Sequence, residues 1–207
     1  MSIKVIPSFK IEHELQAQGL VRIVGVDEAG CGALAGPVVA GAVILPLDFE
    51  CNEVRDSKLL SEQKREDLYL LIVEGALAWA TGSASVKEIE ELNIRGATLL
   101  AMCRAVEAIE QVDFALVDAW TIPGVSCPQR GIIRGDQTVM SIAAASIIAK
   151  VTRDRIMREL DLQYPEYGFQ IHKGYGTRVH QEAIREHGAC AIHRLSYKTF
   201  QYDRIAP

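Results

Sequence analysis

The feature that most constrains this chain is a set of short apolar runs, three of which end at or beside a carboxylate. Residues 21–27 (VRIVGVD) are β-branched and mostly apolar, which fits a strand buried on both faces. Asp27 and Glu28 close that run before a glycine-rich turn at 29–32 (AGCG). Residues 37–45 (PVVAGAVIL), bounded by Gly36 and Pro46, make a second run, and 77–86 (LAWATGSASV) a third. Short connections between these three favour an antiparallel meander. Residues 114–118 (FALVD) end at Asp118, and a shorter run at 131–134 precedes Asp136.

Between the runs the period changes to that of a helix. Ser57 and Ser61 stand before a polar and apolar pattern that continues to Glu74. Residues 88–112 place Leu92, Leu99, Leu100, Met102, Val106 and Ile109 on an apolar stripe, with Asn93 and Gly96 breaking or kinking its start. Residues 138–160 are rich in Ala and Ile and then charged, as in a helix that leaves a sheet for solvent; Tyr164-Pro165 ends it. Its small residues, Ser141 to Ala149, read as core packing, and Arg153, Arg155 and Arg158 as solvated, with a phosphate contact open to them. Residues 168–207 read as loop plus one or two short helices. The layout predicts an α/β fold with a mixed sheet, its last two strands separated by helices.

At 207 residues and 49% hydrophobic, the chain is long enough for one well-buried core. No repeat or linker divides it, so a single domain is expected. The longest apolar stretch, 32–47, is interrupted by Gly36, Pro37, Gly41 and Pro46, which does not suit a membrane span. The N-terminus, with Lys4, Lys10, Glu12 and Glu14, does not resemble a secretory signal. Cys31, Cys51, Cys103, Cys127 and Cys190 are scattered without a Cys-x-x-Cys pair, which argues against disulfides and zinc and favours a reducing cytosol. A net charge of −5 is at first sight wrong for a nucleic-acid partner. Residues 1–149, however, carry a net −8 and residues 150–207 a net +3, compatible with an acidic site and a basic flank.

Asp27, Glu28, Asp118 and Asp136 thus lie at the ends of three predicted strands. In open α/β sheets, ligand sites gather at strand ends. Converging carboxylates repel one another and take up protons unless a cation neutralises them. Hard oxygen ligands select magnesium or manganese. Two such ions about 3.5–4 Å apart can activate water and stabilise the leaving oxygen of a phosphoryl displacement. A single Asp after a strand is more often a turn residue or cap, and periodicity does not say which strands adjoin.

The motifs themselves carry a resemblance. Residues 24–37 (VGVDEAGCGALAGP) resemble the first signature of the type 2 ribonucleases H, and Asp56-Ser57-Lys58-Leu59-Leu60-Ser61 their Asp-Ser-Lys stretch. Asp136 followed by 141–154 (SIAAASIIAKVTRD) is similar to the family's most distinctive block. Tyr167-Gly168-Phe169, 172–177 (HKGYGT), Glu186-His187-Gly188 and 193–197 (HRLSY) complete the order, over roughly residues 21 to 200.

The resemblance implies a ribonuclease H-like fold: a mixed five-stranded sheet flanked by helices, with a core over about 21–167 and a small C-terminal helical extension carrying a substrate-binding loop over about 168–207. It implies Asp27, Glu28, Asp118 and Asp136 as ligands of Mg2+ or Mn2+, two ions with substrate bound, and Asp27 as the ligand they share. The implied activity is endonucleolytic cleavage 5′ of ribonucleotides in RNA–DNA hybrids and of single ribonucleotides in duplex DNA. The products carry 3′-hydroxyl and 5′-phosphate ends, and the implied context is ribonucleotide excision repair by a monomeric cytoplasmic enzyme. Tyr175 matches the tyrosine that packs on the nucleotide at the RNA-to-DNA junction, and Lys58 a lysine near the scissile backbone. His172 is read as a hydrogen-bonding or phosphate contact rather than a general base.

Three positions depart from the family pattern. Gly30-Cys31-Gly32 stands where Gly-Arg-Gly is usual; the glycines still permit backbone approach to a 2′-hydroxyl, while a planar phosphate or sugar contact is lost. Cys31 would also bring an oxidisable thiol to the site. Leu59 replaces a usually polar residue, and Ala119 stands where glycine is common. Type 3 relatives carry an extra N-terminal domain, for which the twenty residues before the first strand leave no space. Two other readings stay open: a two-metal exonuclease or recombination nuclease on a similar fold, and a nucleic-acid-binding module without catalysis.

Overall fold

The apolar run around Val24 and Val26 becomes β1 (Ile23–Ala29), and every residue of it except Glu28 is buried. A strand covered on both faces must lie in the middle of a layered fold, and β1 does. The computed structural model describes residues 6–50 and 53–201, so Lys4 and Cys51 lie outside the described residues, as do 202–207. Its single sheet has the order β3-β2-β1-β4-β5. β2 (Val38–Ile44) pairs antiparallel with β1, and β3 (Ala78–Ala84) antiparallel with β2. On the other side β4 (Phe114–Asp118) and β5 (Gln129–Ile132) continue parallel to β1. The expected mixed five-stranded sheet flanked by helices is what forms.

One short helix, α1 (Lys10–Gln16), precedes the sheet, and α2 (Glu62–Gly75) connects β2 to β3. The antiparallel order of the first three strands is therefore as expected, but their links are not all short. Ser61 caps α2 by accepting from the Lys64 N–H. The longer α3 (Val86–Glu107) opens with a capping box in which Ser85 and Glu88 satisfy one another's backbone donors. Its kink falls at Asn93, whose φ of 59° leaves the helix while its side chain accepts from the Arg95 and Gly96 N–H groups.

The two long helices lie on opposite faces of the sheet. Ala97, Ala101, Met102 and Ala105 of α3 pack with Val24, Val26, Val38 and Ala42. On the other face α5 (Met140–Gln163) contributes Ala143, Ala144, Ala145, Ile147 and Ile148 to a core with Val43, Leu45, Leu68 and Ile72. The run of small residues is core packing, and it brings backbone against backbone. A Cβ at Gly25 of β1 would stand 2.1 Å from the Ser141 carbonyl carbon, so only glycine fits there.

Several elements differ from expectation. β5 sits two residues earlier than the predicted 131–134, because its pairing with β4 runs from Ala115↔Gln129 to Asp118↔Ile132. No helix separates β4 from β5; a loop does. A one-turn helix, α4 (Gly135–Thr138), precedes α5 and holds Asp136. Among the described residues beyond 168 there are three helices rather than one or two: α6 (Phe169–His172), α7 (Arg178–His187) and α8 (Lys198–Gln201). Among the described residues no helix is long and apolar enough to cross a membrane.

Candidate active site

The parallel pairing of β1 with β4 brings the first acids together. Val26 stands opposite Val117, so the next step of the same register sets Asp118 beside Asp27. One oxygen from each of Asp27, Glu28 and Asp118 lies within 4.8 Å of the others. Asp27 is only 5% exposed and accepts the Glu28 backbone N–H at 2.8 Å. Burial holds its carboxyl well above the usual range, and the negative charges of Glu28, Asp118 and Asp136 push the same way. Glu28 is raised by burial and by Asp118. Asp118 is raised by burial, although the Gly135 N–H donates to its Oδ1 at 2.7 Å and opposes the shift.

Asp136 is not one of that tight trio but borders it. It is buried on α4, its pKa raised by burial and by Asp56 and Asp118. Lys58 Nζ lies 3.7 Å from its Oδ2, on a side chain that is 78% exposed. Burial works to lower the Lys58 pKa, but Asp56, Asp27, Asp136 and Glu28 together hold it above normal. Asp56 is a fifth acid turned toward the site. It is buried and accepts the Lys58 N–H at 3.0 Å, capping the 3-10 turn Ser57–Leu59. The motif containing it was visible, but nothing in the sequence separated its role from that of an ordinary cap. Leu59 points to solvent.

The residues present fit a divalent cation. Buried polar atoms are almost always satisfied, yet Glu28 Oε2 is buried without a hydrogen-bond partner. Three acids with raised pKa values and one orphaned oxygen are what remains when carboxylates are arranged for a cation. The donor set is all oxygen, which suits magnesium or manganese.

The glycine-rich turn follows directly. Gly30 has φ +99°, and a Cβ on it would meet Arg153 Nε at 2.0 Å. Cys31 does not project into solvent: its Sγ lies 3.5 Å from Glu28 Oε1 and 3.2 Å from Thr98 Oγ1. Burial, with the neighbouring Glu28 charge, pushes its thiol up to about 12. That shift disfavours the thiolate, the form in which a cysteine reacts. A Cβ at Gly32 would meet nothing within 4 Å. Ala119, after Asp118, adopts φ 57°, where glycine is favoured.

Tyr175 does not touch the acids; it is joined to them through the 30–37 turn. It bridges Ala33, and the Leu34 N–H donates to the Gly174 carbonyl at 2.8 Å. Its half-buried ring has Lys150 Nζ and Arg153 Cζ each 5.3 Å from the centroid. Two arginines hold this junction. Arg153, expected in solvent, is 0% exposed and donates to the Pro37, Lys173 and Ala35 carbonyls. Arg194 is equally buried and donates to the Gly30, Cys31 and Gly36 carbonyls. Charge pattern offered no signal for either, because a lone arginine reads as solvated. Arg155 and Arg158 pair with Glu66 and Glu62 of α2. His172 is also buried, with Nε2 2.9 Å from the Tyr167 carbonyl, and so is a hydrogen-bonding group rather than a phosphate contact.

A family model described as Ribonuclease HII matches residues 24–200. Ribonuclease HII of Desulfitobacterium hafniense (strain DSM 10664 / DCB-2) is 53% identical over 191 residues, covering 92% of this chain and 74% of the relative. That of Myxococcus xanthus (strain DK1622) is 54% identical over 190 residues, covering 91% and 65%. Among solved structures, ribonuclease H2 from Pyrococcus horikoshii OT3 superposes with a TM-score of 0.69 at 25% identity, over 86% of this chain and 95% of that one. Bst-RNase HIII in complex with Mn2+ superposes with a TM-score of 0.70 at 18% identity, over 90% and 71%, a likeness of fold.

Proposed function

The chain belongs to the ribonuclease HII family, and on that premise we propose that it cleaves the phosphodiester 5′ of ribonucleotides, both in RNA–DNA hybrids and at single ribonucleotides in duplex DNA. It is an endoribonuclease that depends on a divalent metal. The observation that carries the finer reading is the trio of buried Asp27 with half-buried Glu28 and Asp118, with acid oxygens within 4.8 Å and Glu28 Oε2 unpartnered.

Asp27, Glu28, Asp118 and Asp136 would hold Mg2+ or Mn2+, two ions with substrate bound. Ions of this kind neutralise the acids, activate water for in-line attack and stabilise the leaving 3′ oxygen. The rest is work for the chain's own groups. Asp27, buried on the central strand, would be the ligand shared between the ions. The Gly135 N–H orients Asp118, and Lys58 orients Asp136 until substrate arrives. Lys58 then has a phosphate to contact, which suits an exposed lysine beside an acidic site.

Specificity for RNA needs a sensor of the 2′-hydroxyl and a face for the sugar or base. The Gly30-Cys31-Gly32 backbone supplies the close approach and Tyr175 the aromatic face. With Cys31 in place of the usual arginine and its thiol turned inward to Glu28 and Thr98, the turn offers backbone and no guanidinium. Metal chemistry is therefore retained while the preference for the RNA-to-DNA junction is weaker. The test is a labelled duplex with one ribonucleotide, incubated with Mg2+ or Mn2+. A single internal cut on the 5′ side, leaving a 3′-hydroxyl, is the expected product. Degradation from an end, or binding without cleavage in either metal, overturns the proposal.

A further inference from the structure

Three histidines meet beneath the Tyr175 loop, and their hydrogen bonds admit one arrangement of protons. His172 of α6, His180 of α7 and His193 of the following loop are all buried. The His172 and His180 rings stack at 4.4 Å, and Tyr167, Phe169 and Phe200 wall the cluster. A backbone N–H can only donate, so it fixes the tautomer of any imidazole nitrogen it points to. The Cys190 N–H points to His193 Nδ1 at 2.9 Å, and the Cys190 thiol lies 3.1 Å from the same atom. Nδ1 therefore carries a lone pair and the His193 proton sits on Nε2. The Cys190 carbonyl, 3.3 Å from Nδ1, is instead served by the His193 backbone N–H at 3.0 Å.

The His193 Nε2–H faces His180 Nε2 at 3.1 Å. His180 must accept there, which puts its own proton on Nδ1, 3.0 Å from the Tyr175 carbonyl. His172 is set separately: the Gly174 N–H donates to its Nδ1 at 3.2 Å, so its Nε2–H points to the Tyr167 carbonyl. Every ring nitrogen thus has a partner of the right kind, His193 Nδ1 having the Cys190 thiol as well. The charged groups nearest the cluster are Asp161 and Lys173 beside His172, and Glu166 beside Cys190. None forms an ion pair with a ring.

We propose that this tautomer-locked relay, Cys190 N–H to His193 to His180 to the Tyr175 carbonyl with His172 holding Gly174, makes the three histidines positioning residues that set the Tyr175 ring for the nucleotide. It rests on the reading of Tyr175 as a substrate contact. The relay is also tied to the turn beside the acids, since His193 bridges Ala35 while Tyr175 bridges Ala33. A proton added to His193 Nδ1 would confront the Cys190 N–H, and one added to His180 Nε2 would confront the His193 N–H. The relay works only with all three rings neutral.

Histidine side-chain 15N NMR of the full chain at neutral pH tests the tautomers: protons are expected on Nε2 of His193, Nδ1 of His180 and Nε2 of His172. Kinetics test the purpose. His180→Ala should raise KM for a single-ribonucleotide duplex about tenfold with kcat within about twofold. His180→Asn, whose amide can donate where Nδ1–H did, should recover most of that loss, and His180→Gln should not. Opposite or averaged tautomers overturn the relay even if the variants fail to fold, and so does equal loss in the Asn and Gln variants. If Tyr175→Ala leaves KM unchanged, the reading of Tyr175 falls, and the relay's purpose with it, even where the tautomers are as stated.

Discussion

The acids around Asp27 and the histidines around His180 are both buried polar clusters, yet they balance their charges in opposite ways. Around His180 each ring nitrogen has a matched partner and the cluster is complete as it stands. Around Asp27 like charges face one another, and one carboxylate oxygen has no partner at all. A buried polar network is stable only when fully satisfied. The difference therefore separates a part of the molecule that holds shape from a part that waits for a cation. It also gives the two regions opposite responses to acid.

The most severe way to break the contrast is to remove the central acid. Asp27→Asn should reduce kcat by about a thousandfold or more, as expected when a metal ligand is lost. The same variant should be more stable than the parent without metal, because a buried charge facing other charges is gone. Calorimetry in a chelator should show the rise, at about 2–4 °C for each kcal/mol in a chain of this size. A fall would show that Asp27 is satisfied without a cation. Second, Mn2+ or Mg2+ should raise the Tm of the parent in a concentration-dependent way and leave Asp27→Asn nearly unmoved.

The third test uses pH. Burial lowers His180 and His193 to about 4 from an ordinary 6.5. The unfolded chain then binds the extra protons first, so their contribution is full above pH 6.5 and is lost as pH falls through the window to about 4. For one ring the loss is on the order of 3 kcal/mol. The raised acids act in the other direction. In the folded state they hold protons to higher pH than when unfolded, so without metal their repulsion is relieved as pH falls toward the ordinary carboxylate range. Denaturant titrations across this range should give a shallower acid loss in His193→Gln than in the parent. A parallel curve would mean that His193 is not buried neutral.

The smallest effects sharpen the picture of the acidic side. Ala119→Gly should gain about 1 kcal/mol by relieving a left-handed residue next to Asp118, with activity kept; a loss would mean that φ 57° costs nothing there. Cys31→Arg should shift the ratio of cleavage between a single-ribonucleotide duplex and a long hybrid by a few-fold, about the worth of one charge-assisted contact. No change in either substrate would remove the guanidinium from the account of junction preference.

Much of this contrast was legible in the chain alone, and for different reasons in the two regions. The acids announce themselves because each ends a run with strand character, and because the surrounding motifs resemble a known family. The mixed sheet followed from the apolar runs and the two long helical stretches. The histidines did not announce themselves. His172 looked like a loop residue and His193 part of a motif, since hydrogen-bonding partners such as the Cys190 N–H and the Tyr175 carbonyl are backbone groups with no sequence signature. Arg153 was read as solvated for the same reason: its partners are carbonyls from residues more than a hundred positions away and from the Tyr175 loop.

What the amino-acid order determined is periodic or local: strand and helix types, the helix start at Ser61, and which acids are available. What only the tertiary structure decided is adjacency. The parallel pairing of β1 and β4 puts Asp118 beside Asp27, the chain's return puts Arg194 beneath Gly30, and Cys31 turns inward to Glu28. These depend on distances between segments far apart in the chain, and solvation and hydrogen-bond balance are properties of that packing rather than of any one residue.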